Sequence, residues 1–190
     1  MSDTPTRLLD AVDAVIAQHG PSGVTLRRVG TEAGLSHTAA AHYFKDKPGL
    51  FTAYITRAYD RVGEALENAA DNDNPSEAML ASAEAYGRFA LGSPSAFSVM
   101  SRLELTRVDT PELWAARERA YFAIDAVLRR NQETGWAEER DLRDLASTTW
   151  SFVHGFVDLW VGGPLAAPYD GDELLPTLRR NFEQLLNALA

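Results

Sequence analysis

Residues 24–51, VTLRRVGTEAGLSHTAAAHYFKDKPGLF, read as two short helices joined by a tight Ala-Gly-Leu turn, with the start of another helix behind them. Thr25 suits the N-cap of the first, because its hydroxyl can accept a hydrogen bond from a backbone N–H that has no partner inside the helix. Leu26, Val29 and Ala33 recur at helical spacing and mark one face. Gly34 permits the positive-φ corner at which the chain reverses. Ser36 then caps the second helix, HTAAAHYF. This is the layout of a helix-turn-helix, whose second helix lies in the DNA major groove.

Helical periodicity extends outward in both directions. A helix from about Thr4 to His19 precedes the motif, with Leu8, Leu9, Val12, Val15 and Ile16 inward, and stops at Gly20-Pro21-Ser22-Gly23. A fourth helix starts near Lys47-Pro48, since proline is tolerated in a first turn, and runs to about Ala70. The polar run Asp71–Pro75 breaks it. A fifth spans roughly Ser76 to Leu91, and Gly92-Ser93-Pro94 turns the chain into a short helix reaching about Leu105. Thr110-Pro111-Glu112 opens a long helix through Gln132, which Gly135 ends. The eighth, from about Glu139 to Val161, is the most apolar, and a ninth follows the loop that ends at Asp172. The fold class is therefore all-α, about nine helices: a three-helix helix-turn-helix head over residues 1–50 and a larger helical body over 51–190.

Of the 190 residues, 45% are hydrophobic, enough for a real core. The absence of cysteine removes disulfides, thiol catalysis and zinc–thiolate sites together. No run of 18 apolar residues occurs and MSDTPTRLLDAV does not read as a leader, so a soluble cytoplasmic protein without a membrane partner is expected. The formal charge of −9 runs against a DNA binder, whose affinity depends on neutralising phosphates. Its distribution resolves this. Residues 1–50 hold five basic groups (Arg7, Arg27, Arg28, Lys45, Lys47) against five acidic ones (Asp3, Asp10, Asp13, Glu32, Asp46), so the body carries the whole deficit.

With these residues in view, the chain resembles the TetR family of one-component transcriptional regulators. The most specific part is G-L-S-H-x3-A-H-Y-F-x-D-K-x-x-L-F, residues 34–51, in which Ser36, His42, Tyr43, Phe44, Lys47 and Leu50 stand where family members have these or similar types. Trp150, His154 and Gly155 also resemble the C-terminal-domain subgroup named for a Trp…His-Gly signature. One departure is the run Ala39-Ala40-Ala41, where a larger side chain is common in mid recognition helix. The resemblance implies a homodimeric regulator that binds a near-palindromic double-stranded DNA operator and is released by a small-molecule effector held in the body. Repression, rather than activation, rests on that resemblance alone.

On the second helix of the motif, His37, Thr38, Ala39 and His42 are expected to face base edges, and Tyr43 base or phosphate, although an alanine-rich helix can also merely pack. Thr25, Arg27, Arg28, Ser36 and Lys47 sit at helix starts, where backbone N–H groups favour anions, and are candidate phosphate contacts. For Lys47→Ala this predicts weaker binding to all sequences and a salt slope lower by about one. Phe44 and Phe51 read as core. Candidate ligand contacts are Tyr86, Phe89, Phe97, Met100, Trp114, Tyr121, Trp150 and His154, since splayed helices can leave an aromatic-lined cavity; plain core is the competing role. His154 shares a helix face with Trp150 and Asp158, and a packed histidine bonded to a neighbouring helix is its simplest reading. Surplus apolar positions on the last two helices suggest a dimer interface of Phe152, Val153, Val157, Trp160, Leu178, Phe182 and Leu185. No cofactor or metal is expected, because no paired histidines or glycine-rich phosphate loop occur. Two rival readings stand beside the regulator: an interaction module with a degenerate head, and a helical enzyme using His154 with Asp158.

Overall fold

The computed structural model describes residues 3–107, 110–169 and 173–190, excluding the side chain of His37. Among them the secondary structure is helical, with no strand: α1 (Thr4–His19), α2 (Leu26–Glu32), α3 (His37–Phe44), α4 (Lys47–Ala70), α5 (Pro75–Gly92), α6 (Pro94–Met100), α7 (Pro111–Gln132), α8 (Leu142–Val161) and α9 (Leu174–Leu189), plus single 3-10 turns at Pro21–Gly23 and Leu103–Leu105. Two helix bounds differ from expectation. The short helix after Pro94 ends at Met100, and α8 begins at Leu142 rather than near Glu139. Asp141 explains the second: its carboxylate accepts from the backbone N–H groups of Arg143 (2.8 Å) and Asp144 (3.2 Å), capping the helix there.

Compactness divides the chain into Met1–Asp60 with Ser93–Arg117, and Arg61–Gly92 with Glu118–Ala190. A boundary at residue 50 falls inside the continuous helix α4. In the first unit the inward stripe of α1 (Leu8, Leu9, Val12, Val15, Ile16) is buried as the periodicity requires. Val24, Val29, Leu50, Phe51 and Ile55, all below 1% exposed, complete the core of this unit. The Tyr54 hydroxyl bonds to Asp13 (2.6 Å), and Arg57 to Asp10 (2.7 Å), tying α4 to α1. Ser95 on α6 donates to the Asp13 carbonyl (3.0 Å), which ties α6 to α1 in this unit.

The second unit packs α5, α8 and α9 together. Fully buried Asn131 at the end of α7 donates to the Pro75 carbonyl (2.8 Å) and the Val127 carbonyl (2.9 Å), and accepts from the Ser76 hydroxyl (3.4 Å). Arg179 on α9 reaches both Glu77 oxygens (2.8 Å) and Glu84 (3.3 Å) on α5. The last turn of α9 leaves carbonyls without helical partners. Trp136 Nε1 donates to Leu186 (3.0 Å) and Arg140 Nε to Leu189 (2.7 Å), satisfying two of them.

Candidate functional site

Both helices of the motif begin on the side chains that the sequence marks. Thr25 Oγ1 accepts from Arg28 N (3.1 Å), and Ser36 Oγ accepts from Ala39 N (3.3 Å). Gly34 sits at φ 65°, in the left-handed region, and lets Leu35 N bond back to the Gly30 carbonyl (2.8 Å). Arg7 from α1 donates to the Ala33 carbonyl (2.8 Å), fixing the end of α2. The turn that presents α3 is thus held from three sides.

Burial sorts the faces of α3. Ala40 and Phe44, four apart, are buried. Thr38, Ala41 and His42 are exposed, Ala39 is half-buried, and Tyr43 is 46% exposed with its ring edge-on to His42 at 5.2 Å. The side chain of His37 lies outside the described residues. Only Ala40 of the alanine run is therefore needed for packing. The outward strip is Thr38, Ala41, His42 and Tyr43. The turn after α3 is tight: Lys45 adopts φ 66°, and a Cβ at Gly49 would stand 2.1 Å from the Phe44 carbonyl oxygen, so only glycine fits. Asp46 Oδ1 accepts from Gly49 N (2.8 Å) and its other oxygen pairs with Arg107. The Gly49 N–H, reinforced by Arg107, holds the Asp46 carboxyl below its ordinary value.

The candidate phosphate contacts divide. Thr25, Ser36 and Arg27 are exposed beside the motif, and Arg28 is exposed but donates to the Gly23 carbonyl. Lys47 differs from expectation. It is half-buried, its Nζ donates to the Pro21 and Ser22 carbonyls (3.2 Å each), and it lies 5.7 Å from the centre of the Phe51 ring. Its charge is turned to the chain itself. Two exposed cations that the sequence reading passed over, Lys45 at the end of α3 and Arg107 nearby, are additional candidates; nothing in their sequence context distinguishes them from solvated charge.

The second unit contains a partly open apolar pocket of about 40 Å³. Tyr86 and Trp150 line it, as expected of them, together with Leu66, Met79, Ser82, Ala83, Ile124, Val127, Leu128, Thr149, Val153 and Phe182. The other six ligand candidates do not. Phe97 and Met100 are buried in the first unit, and Trp114, in that unit, lies half-exposed under the Arg117 guanidinium (5.0 Å). Phe89 packs beneath Arg61, and Tyr121 is 52% exposed, 6.4 Å from the Trp150 ring. His154 stands one layer behind the wall. Its Nδ1 shares a hydrogen bond with the Tyr86 hydroxyl (2.7 Å) and its ring stacks on Trp150 at 6.0 Å. It is the packed histidine bonded across to a neighbouring helix. Among the described residues no cluster of histidine or acidic groups could hold a metal ion.

The interface candidates also separate. Val153, Val157, Leu178 and Phe182 are buried within the chain, so a partner could not reach them: they are core. Phe152, Trp160 and Leu185 remain half-buried. Phe152, Phe156 and Trp160 form a ring ladder along α8 at 5.8 and 5.9 Å, flanked by Leu159, which is 50% exposed.

Comparison with known proteins places these features in context. Residues 8–54 match the family model described as bacterial regulatory proteins, tetR family, and residues 79–182 match the tetracyclin repressor-like C-terminal domain model. An uncharacterised helix-turn-helix-type transcriptional regulator of Mycobacterium tuberculosis is 30% identical over 90 residues, 47% of this chain and 45% of that protein. Among solved structures, a protein of unknown function from Rhodococcus sp. RHA1 is 23% identical with a TM-score of 0.85, covering 100% of this chain and 97% of its own. The transcriptional regulator FadR from Bacillus subtilis, solved in complex with stearoyl-CoA, is 18% identical with a TM-score of 0.73, covering 95% and 96%.

Proposed function

The chain belongs to the TetR family of bacterial regulatory proteins, DNA-binding regulators of transcription, and from that premise we propose that it acts as a homodimeric repressor released from its operator by a small-molecule effector. One observation carries the DNA-binding half of this reading: a doubly capped helix-turn-helix whose second helix turns Thr38, Ala41, His42 and Tyr43 outward while Ala40 and Phe44 anchor it. Thr25, Arg27, Arg28, Ser36 and Lys45 would take phosphates on either side, and Thr38, Ala39 and His42 would meet base edges. Two such heads would read half-sites roughly 34–36 Å apart.

The effector half rests on the family and on the apolar pocket of the second unit, which at about 40 Å³ is smaller than the ~300–1,000 Å³ usual for small-molecule sites, so an effector would have to widen it. That the B. subtilis FadR was solved with stearoyl-CoA supports the use of this fold for ligands. Release requires only that the effector bind one head arrangement better than the other, and about 1–3 kcal/mol of coupling is usual. No observation favours the enzyme reading, because His154 is bonded to Tyr86 and stacked on Trp150. The test is fluorescence anisotropy against the DNA upstream of the chain's own coding region, with scrambled DNA beside it, over about 50–200 mM salt. Selective, salt-sensitive binding is expected. Equal, feeble binding to both DNAs would favour an interaction module with a degenerate head.

A further inference from the structure

The cations at the exit of α3 are held differently from ordinary surface charge. Lys47 directs its ammonium to the Pro21 and Ser22 carbonyls (3.2 Å each). Lys45 and Arg107 stay exposed, and with Tyr43 they line one open cleft of about 490 Å³ in the first unit. Arg107 is fixed at three points. Its backbone N–H donates to Oγ1 of the buried Thr52 on α4 (2.9 Å), and its carbonyl accepts from Thr110 Oγ1 (2.9 Å). One terminal nitrogen of its guanidinium pairs with Asp46. Among the described residues that is the side chain's only partner, so most of its N–H donors remain free for a second acceptor. Lys45 stands at φ 66°, a conformation that glycine adopts freely and lysine does not. Strain of this kind clusters where a side chain has a use that glycine could not supply. Among the described residues neither the Lys45 ammonium nor the Tyr43 hydroxyl has a hydrogen-bond partner.

We propose that Arg107, Lys45 and the Tyr43 hydroxyl form a phosphate clamp for the DNA backbone, which carries the DNA-binding surface beyond residues 8–54 into the segment that leads to α7. The inference rests on the DNA-binding reading of the head. A guanidinium already oriented by a carboxylate loses little freedom on meeting a phosphate, and its planar fork matches phosphate oxygens. Charge favours this end of the cleft, where two cations stand against the single carboxylate of Asp46. The other charges on the cleft are placed elsewhere. Arg57 is paired with Asp10 and Asp13, Asp60 stands about 16 Å along α4 from Gly49, and Glu112 lies in the first turn of α7. Inorganic phosphate offers the same oxygens as a phosphodiester, and the test separates the two.

The experiment measures, by anisotropy over about 50–200 mM salt, the affinity of the full-length protein for the DNA upstream of its own coding region and for scrambled DNA. Arg107→Gln is expected to weaken binding to both DNAs by a similar factor and to lower the slope of log affinity against log salt by about one. Arg107→Lys keeps a charge in place and is expected to keep the parental slope. Lys45→Gly removes the strained φ, so it is expected to melt no lower than the parent and still to lower the slope by about one. None of these changes removes the backbone bond to Thr52. An unchanged slope in Arg107→Gln would overturn the proposal and leave Arg107 as a strap on Asp46. A loss confined to the upstream DNA would overturn it too, by making Arg107 a reader of bases. Should Arg107→Gln fail to fold, an unchanged slope in Lys45→Gly overturns the clamp by itself. Isothermal titration of the DNA-free protein with inorganic phosphate is expected to show no saturable binding. Saturable binding that Arg107→Gln abolishes, with the DNA slope unmoved, would assign the site to a free anion instead. A parent without salt-sensitive DNA binding would remove the DNA-binding reading and the clamp together; a binding parent with unmoved slopes in the variants removes the clamp alone.

Discussion

Lys47 stands at the start of α4 with its ammonium donating to two carbonyls of the Pro21–Gly23 turn and its stem against Phe51. A hydrogen bond from a charged donor contributes about 1–3 kcal/mol when buried and less when water competes. Lys47→Ala should therefore lower the melting temperature and leave the slope of log affinity against log salt where it was. A slope lower by about one would return Lys47 to the phosphate-contacting set. His42 has the opposite surroundings: exposed, on the outward strip of α3, with only the Tyr43 ring beside it. His42→Ala should weaken operator binding by about 1–2 kcal/mol and leave scrambled DNA unaffected. Equal loss on both DNAs would make it a backbone contact. The caps Thr25 and Ser36 and the corner at Gly34 were legible in sequence because one residue and its immediate neighbours determine them. The fate of Lys47 was not, since its partners lie about two dozen positions away across a turn whose shape is set by packing.

Individual helices depend on a few polar groups at their ends. Asp46 caps the first turn of α4 through Gly49 N and meets Arg107. Its carboxyl is held below the ordinary 3.8, so the group contributes stability above that value, and the contribution is lost as pH falls through the folded value. Asp46→Ala should therefore unfold at a lower temperature than the parent at neutral pH, with the two curves converging below about pH 4. A gap that persists undiminished in acid would show that the carboxylate's charge is not what matters. Asn131 does the equivalent work where α7 meets α5. Truncating it to alanine would leave the Pro75 carbonyl without its donor, and about 2–3 kcal/mol of stability should be lost in denaturant titration. Helix ends of this second kind are hard to read from sequence. Asp141 lay two residues inside the expected start of α8 without being taken as its cap, and Asn131 gave no local signal, because its partners come from another helix.

At the scale of the whole molecule, the all-helical plan was legible because apolar spacing and Gly-Pro punctuation report on each helix separately. Which apolar face meets what is a different question, and periodicity does not answer it. Leu66, Met79, Ile124, Val127 and Leu128 line a cavity, yet nothing in their spacing separates them from solid core. The surplus of apolar residues on α8 and α9 was real, but Val153, Val157, Leu178 and Phe182 are spent on the chain's own interior. What remains is narrower: the Phe152–Phe156–Trp160 ladder with Leu159 beside it and Leu185 on α9. As the proposed dimer interface, this strip would meet its own copy about a two-fold axis, with α8 and α9 of two subunits closing a four-helix interface over it. Phe156→Glu places a charge at the middle of the ladder, where it would face its own copy across the axis. Sedimentation at micromolar concentration should then give twice the chain mass for the parent and the single-chain mass for the variant, with helical content unchanged. The variant should also lose most of its operator affinity, because two heads no longer arrive on one particle and each half-site must be bound separately. A monomeric parent at that concentration would remove the dimer. A dimeric variant would move the interface elsewhere on the surface, to the exposed Tyr121 and Phe122 of α7 in the first instance.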